Sequence, residues 1–252
     1  MRRLFLPDLP EAHGPVLIGG GDHHHLCNVL RLGRGDTLVL LDGKGLAYHA
    51  EIVEVRRDAT VAKLVRPIPA PPEPPAEIWV AQALGKGNKF EQVIQHGTEV
   101  GASRFIPLVT ERTIVRHGPD LPANRLTRWR QIARSAAEQC GRARIPVLED
   151  LVSLPELVMR TERAHCAILL DGGGPPLART LSQLLPHGCV LPSGPILLIV
   201  GPEGGFTPAE TAEALSRGVH CASLGPYTLR TETAALAAIA RIVHYLEEHS
   251  AR

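Results

Sequence analysis

Residues 196–206 read Ile196-Leu-Leu-Ile-Val-Gly-Pro-Glu-Gly-Gly-Phe206, and Thr207-Pro208-Ala209-Glu210 follows. Ile196 to Val200 is a continuous apolar run rich in β-branched residues. That pattern predicts a strand covered on both faces, as in a parallel sheet. Gly201, Gly204 and Gly205 offer backbone without side chains, where a ligand can approach closely. Thr207 predicts a helix N-cap, Pro208 the first helical position, and Glu210 the closing residue of a capping box. Strand, glycine bend and capped helix in series is how open α/β sheets build ligand sites at the carboxyl ends of their strands.

The alternation extends on both sides of this stretch. Residues 78–84, 104–109 and 166–170, with a short run near 221–224, read as strands. Residues 89–100, a segment capped by Asn124 and ended by Gly141, and residues 231–248 read as helices. Strands alternating with helices predict a mostly parallel α/β sheet. Three predicted strand ends carry loops, at 170–174, 201–206 and 224–230. Lying side by side, they would form one pocket edge. In the last helix, Ala235, Ile239, Ile242, Val243 and Leu246 fall at helical spacing, which suits core packing and a dimer seam equally.

Upstream, residues 1–66 read as a small β-rich unit, with strands at 37–41, 48–55 and 60–65 and a short helix over 22–32. So few strands fit a small barrel better than a sandwich. The proline-dense run Pro67 to Pro75 is extended and stiff, the natural boundary between a first domain (1–70) and a second (71–252).

Composition narrows the class. The chain has 252 residues, 44% of them hydrophobic, enough for a sizeable core, and 27 basic side chains against 26 acidic ones. No overall positive field announces nucleic acid, so local patches decide. Five cysteines without a Cys-x-x-Cys pair argue against a disulfide framework or structural zinc, and point to reduced thiols in a cytoplasmic protein. Met1-Arg-Arg-Leu-Phe lacks the apolar core of a signal peptide, and no apolar run reaches the roughly 18 residues of a membrane span.

Nucleotide fingerprints are missing: neither a P-loop nor a G-x-G-x-x-G opens any predicted helix. The carboxylate of Glu203, beside a helix start where an anion would otherwise sit, disfavours phosphate and suits a ligand with a positive centre. His23-His24-His25 cannot converge on one metal from a helix or a strand. No Ser or Cys stands in a nucleophile elbow. Arg2, Arg3, Arg31, Arg34, Lys86, Lys89, Arg112, Arg116, Arg142 and Arg144 are each ordinary solvated charges, but together would make a phosphate-contacting surface.

Several blocks jointly resemble one family, the bacterial 16S ribosomal RNA (uracil-N3)-methyltransferases of the SPOUT class. They are Arg3-Leu-Phe; His25-Leu-Cys-Asn-Val-Leu-Arg31 with Gly35-Asp36; Lys86-Gly-Asn-Lys-Phe-Glu91; Glu99-Val-Gly101 with Thr110-Glu-Arg112; Ala137-Glu-Gln-Cys-Gly-Arg142; Gly201 to Phe206; and Leu224-Gly-Pro-Tyr-Thr-Leu-Arg-Thr-Glu-Thr-Ala234. They run in order along nearly the whole chain. His96-Gly97-Thr98 departs from the family, which usually has a basic residue and a better helix former there.

The resemblance implies a PUA-like β-barrel for RNA followed by a SPOUT α/β domain with a C-terminal trefoil knot, homodimeric, free of metal and membrane, and acting on 16S RNA of the 30S subunit. It implies S-adenosylmethionine held by Leu170, Asp171 and Gly172, by Val200, Gly201, Pro202, Glu203, Gly204 and Gly205, and by Leu224, Gly225, Tyr227, Leu229, Arg230 and Thr233. Arg2, Arg3, Arg31, Lys86, Lys89, Arg112 and Arg142 are then the expected RNA contacts. Arg230 is expected to stabilise charge on the uracil oxygens, because an arginine does not act as a base. Arg3, from either subunit, would orient the uridine or its phosphate, and Glu232 or Glu203 would accept the proton. A first-turn helix carboxylate is the plainer reading of Glu232. The competing functions are a SPOUT enzyme for another RNA, such as a tRNA 2′-hydroxyl, and a non-catalytic RNA-binding assembly factor.

Overall fold

The computed structural model describes residues 2–7, 9–10, 14–113, 123–186, 192 and 194–250. The chain folds as two compact units, Met1–Pro72 with Ala137–Ile145, and Glu73–Ala136 with Pro146–Arg252.

In the first unit, strands β1 (Arg2–Phe5), β2 (Pro15–Gly19), β3 (Thr37–Leu41), β4 (Ala47–Val55) and β5 (Ala59–Ile68) form one sheet in the order β1-β3-β4-β5-β2. β1 runs parallel to β3 and every other pair is antiparallel. Leu4 of β1 and Val16 and Ile18 of β2, from opposite ends of this order, share one core with Leu38, Leu40, Ile52 and Leu64. The sheet therefore curls, although β1 and β2 do not pair to close a barrel among the described residues. The β3–β4 turn is held by Asp42, whose Oδ1 accepts the N–H groups of Lys44, Gly45 and Leu46 at 2.8, 2.9 and 2.8 Å.

Three local expectations are corrected. β1 and β2 were not foreseen, because four residues of pattern exposed-exposed-buried-buried show no alternation and Pro15 heads β2. The helix expected over 22–32 is α1 (Gly20–His24) running into a π-helical turn (His25–Val29), after which Arg31 takes φ +55°. β5 continues through Pro67, opposite Tyr48, so the first of the boundary prolines belongs to the sheet. Ala137–Ile145 returns to this unit: Ala137 and Ala143 pack with Phe5, Val39 and Leu41.

In the second unit, β6 (Ile78–Ala83), β7 (Arg104–Val109), β8 (Val147–Leu148), β10 (Cys166–Leu170), β11 (Ile196–Val200) and β12 (His220–Ala222) form a parallel sheet ordered β12-β10-β11-β6-β7-β8, with β9 (Val152–Ser153) on β7. Its strands read as continuous apolar runs because both faces are covered. Ala81, Ile106, Leu197 and Ile199 pack with α4 (Leu154–Val158) and α6 (Pro208–Ser216). The alternate residues Val80, Phe105, Ile196 and Leu198 are also buried, on the side of α2 (Lys89–Val100) and α7 (Thr231–Ser250), which pack together. Ala235, Ile239, Ile242 and Leu246 of α7 are buried within the chain, so the apolar stripe is core here. Helix α3 (Ala123–Cys140) includes Asn124, so that residue lies inside the first turn rather than at the cap. Helix α5 (Leu177–Leu184) follows β10 and was not foreseen.

Candidate active site

The loops that follow β10, β11 and β12 start from neighbouring strands, since β10 pairs with both of the others. Two of them are zipped by backbone: Asp171 N–H donates to Ala222 O at 2.9 Å, Ser223 N–H to Pro175 O at 2.7 Å, and Leu177 N–H to Ser223 O at 2.9 Å. Asp171 Oδ1 accepts the N–H of Gly173, shaping the first loop into a turn. The third loop, 201–206, is fixed by its own chemistry. The capping box is present: Thr207 Oγ1 accepts Glu210 N–H while Glu210 Oε2 accepts Thr207 N–H. The other oxygen of Glu210 takes the N–H of Glu111 at 2.8 Å, joining the bend to the end of β7. Arg112 donates to the carbonyls of Gly204 at 2.7 Å and Phe206 at 3.2 Å.

Gly201 has a packing reason that the sequence hid. A Cβ there would lie 3.0 Å from the Phe206 ring. Gly205 needs its missing side chain for φ +67°.

Two side chains absent from the expected set hold the bend to the sheet. Gln82, 1% exposed at the end of β6, donates to Thr231 Oγ1 at 2.8 Å, and Thr231 donates to Gly201 O at 2.6 Å. The signal was one polar residue inside the apolar run Ile78 to Leu84.

The carboxylates cluster around Lys89. Its Nζ lies 2.6 Å from Glu203 Oε1 and 3.9 Å from Glu232 Oε2. Burial pushes the Glu203 carboxyl up, but the Lys89 ammonium and the backbone N–H groups of Glu203 and Lys86 outweigh it and hold it below the usual carboxylate range. Glu203 is thus an internally paired anion. Lys89, expected to contact RNA, is committed to this cluster.

The last loop faces outward. Residues 225–230 are exposed, Tyr227 by 84%, and the Arg230 side chain makes no hydrogen bond or ion pair among the described residues. Thr233 and Gly172 are exposed, Leu170 and Leu224 half-buried, and Val200 and Pro202 buried. Among the other expected RNA contacts, Arg2, Arg31 and Lys86 are exposed. Arg142 is only 9% exposed and engaged within the protein, which takes it off the surface. Arg3 donates to Gln139 O at 3.3 Å, at the carboxyl end of α3. Arg116 lies outside the described residues. His23 pairs with the buried Thr60 hydroxyl at 2.9 Å, an interior use for the first of the three histidines. A cavity of about 150 Å³ lined by Trp79, Arg104, Glu149 and Leu197 sits by the strand starts, away from the three loops.

Comparison with known proteins agrees with this architecture. Residues 72–243 match the family model for an RNA methyltransferase domain, and residues 18–65 the model for an RNA methyltransferase PUA domain. Ribosomal RNA small subunit methyltransferase E of Bacillus subtilis is 34% identical over 91% of this chain and 90% of its own. Its counterpart in Mycobacterium tuberculosis is 32% identical over 94% and 89%. The crystal structure of the Neisseria gonorrhoeae ribosomal RNA small subunit methyltransferase E, bound to S-adenosyl methionine, superposes with a TM-score of 0.85 at 30% identity, covering 97% of this chain and 98% of that one. A putative methyltransferase of Legionella pneumophila with bound cofactor gives the same score over 96% of each. The curled mixed sheet of the first unit and the parallel sheet of the second correspond to the PUA domain and the RNA methyltransferase domain of these relatives, and the chain belongs to the ribosomal RNA small subunit methyltransferase E family.

Proposed function

We propose that this protein methylates N3 of a uridine in 16S ribosomal RNA of the small subunit, using S-adenosylmethionine, as a cytoplasmic homodimer whose last loops are threaded as a trefoil knot. The carrying observation is that the loops after β10, β11 and β12 start from neighbouring strands, with Glu203 of the second loop held by Lys89, which also neighbours Glu232. The Lys89 ammonium is paired with Glu203, so the cluster does not oppose a ligand with a positive sulfonium. When bound, that group supplies an electrophilic methyl. The chain's own part is to hold it and to align the uracil, since positioning supplies much of the rate of such a transfer. Zipped loops, the braced glycine bend and the Gln82–Thr231 link supply that rigidity. Arg230, which has no hydrogen-bond or ion-pair partner among the described residues, carries the charge that builds on the uracil carbonyl oxygens when N3 loses its proton. Arg2, Arg3, Arg31 and Lys86 are the cations for the RNA backbone.

Incubation with 30S subunits, naked 16S RNA and tRNA, followed by nucleoside analysis, tests the reading. It expects 3-methyluridine in 16S RNA; 2′-O-methyl nucleosides would overturn it, and so would methylation of tRNA alone.

A further inference from the structure

We infer that Glu232 accepts the uracil N3 proton, and that Lys89 is the positioning residue that ties Glu203 away from that task; this rests on the methyl transfer proposed above. The two carboxylates share one ammonium but stand in different states. Glu203 is saturated. It receives Lys89 Nζ at 2.6 Å, and Gly85 lies so close that a Cβ there would be 2.9 Å from its Oε1. Its work is to join the turn before α2 to the glycine bend, and protonating it would weaken that tie. Glu232 is unsaturated. Its side chain is 14% exposed, and its Oε2 is shielded from solvent with no hydrogen-bond partner among the described residues. Lys89 at 3.9 Å is too far to occupy a lone pair. Glu232 stands in the first turn of α7. A carboxylate oxygen that no donor occupies is open to take a proton, as a general base requires.

Placement agrees. Glu232 lies two residues from Arg230, and Thr231 between them is fastened to Gly201. One helix start thus presents a base for the N3 proton and a cation for the carbonyl oxygens. In the step, the N3–H pair of electrons is released into the ring as the proton moves to Glu232. N3 forms the bond to the methyl carbon while the C–S bond breaks, its electron pair returning to sulfur as a neutral thioether. Glu232 then gives its proton to water.

The test compares Glu232→Gln, Glu232→Asp, Glu203→Gln and the wild type. It reads single-turnover methyl transfer at saturating cofactor, cofactor affinity by calorimetry without RNA, and thermal midpoint. Glu232→Gln is expected to slow transfer at least about a hundredfold, with affinity and midpoint nearly unchanged and partial rescue by aspartate. Glu203→Gln is expected to lower the midpoint and the affinity more than the saturated rate. A Glu232→Gln enzyme at the wild-type rate, or a loss of saturated rate confined to Glu203→Gln, overturns the assignment. A wild type that binds cofactor but moves no methyl to RNA removes the underlying function instead, and the assignment with it.

Discussion

The Thr231 hydroxyl donates to the Gly201 carbonyl at 2.6 Å while accepting the Gln82 amide at 2.8 Å. Its single proton is spent on Gly201, so Gln82 must present its NH2, which leaves Gln82 Oε1 buried without a partner among the described residues. One hydroxyl therefore fastens the start of α7 to both the glycine bend and the central strand. Thr231→Val keeps the shape and removes the hydroxyl. With the Gly201 carbonyl stripped of this donor and the Gln82 amide keeping only its bond to the Ala83 carbonyl at 3.1 Å, it should cost about 1–3 kcal/mol in urea denaturation and weaken cofactor binding. Thr231→Ser should recover most of both.

Gly97 sits mid-helix in α2, where alanine would ordinarily gain about 1 kcal/mol. Here a Cβ would lie 2.9 Å from the Phe105 ring, a side chain with no exposure and no room to turn. Overpacking of that kind costs about 1–3 kcal/mol, so Gly97→Ala should lower the thermal midpoint. A rise would show that Phe105 can retreat.

Glu203 gives a pH signature. Its folded-state carboxyl lies below the ordinary value of 4.5, so its contribution is complete above that pH and is lost as pH falls through the lower, folded value. Wild type should exceed Glu203→Gln in stability by about 1 kcal/mol or less at neutral pH, the scale of a partly exposed pair. That gap should stay constant down to about pH 4.5 and close below it.

Gly141 ends α3 with φ +89°, and a Cβ there would meet Arg3 Cζ at 2.8 Å. Gly141→Ala meets both a left-handed backbone and a displaced guanidinium, and should destabilise by about 1–2 kcal/mol. Arg3→Met in the same background should return part of that loss, because the clash is with the head group. Full additivity of the two changes in denaturation would sink this explanation.

Legibility followed locality. The capping box of Thr207 and Glu210 closes within three residues, and both it and the loops beside it were readable. So were β7, β10 and β11, whose apolar runs need no partner to be recognised. What stayed hidden depended on residues distant in sequence. The ammonium that neutralises Glu203 comes from 114 positions away, and the hydroxyl that receives Gln82 from 149. Arg142 looked like a surface cation because no pattern of neighbours reports that its surroundings fold over it. Gly201 reads as open backbone, yet a Cβ there would meet the Phe206 ring at 3.0 Å.

The return of Ala137–Ile145 to the first unit bears on how this architecture can change. The proline-rich passage at 67–75 invites the idea of a cassette joined at one seam. A piece cut at Pro72 would leave Phe5, Val39 and Leu41 without Ala137 and Ala143. Swapping this RNA-binding unit between enzymes would thus require two exchanges of coding sequence, one at the amino end and one in the middle of the gene.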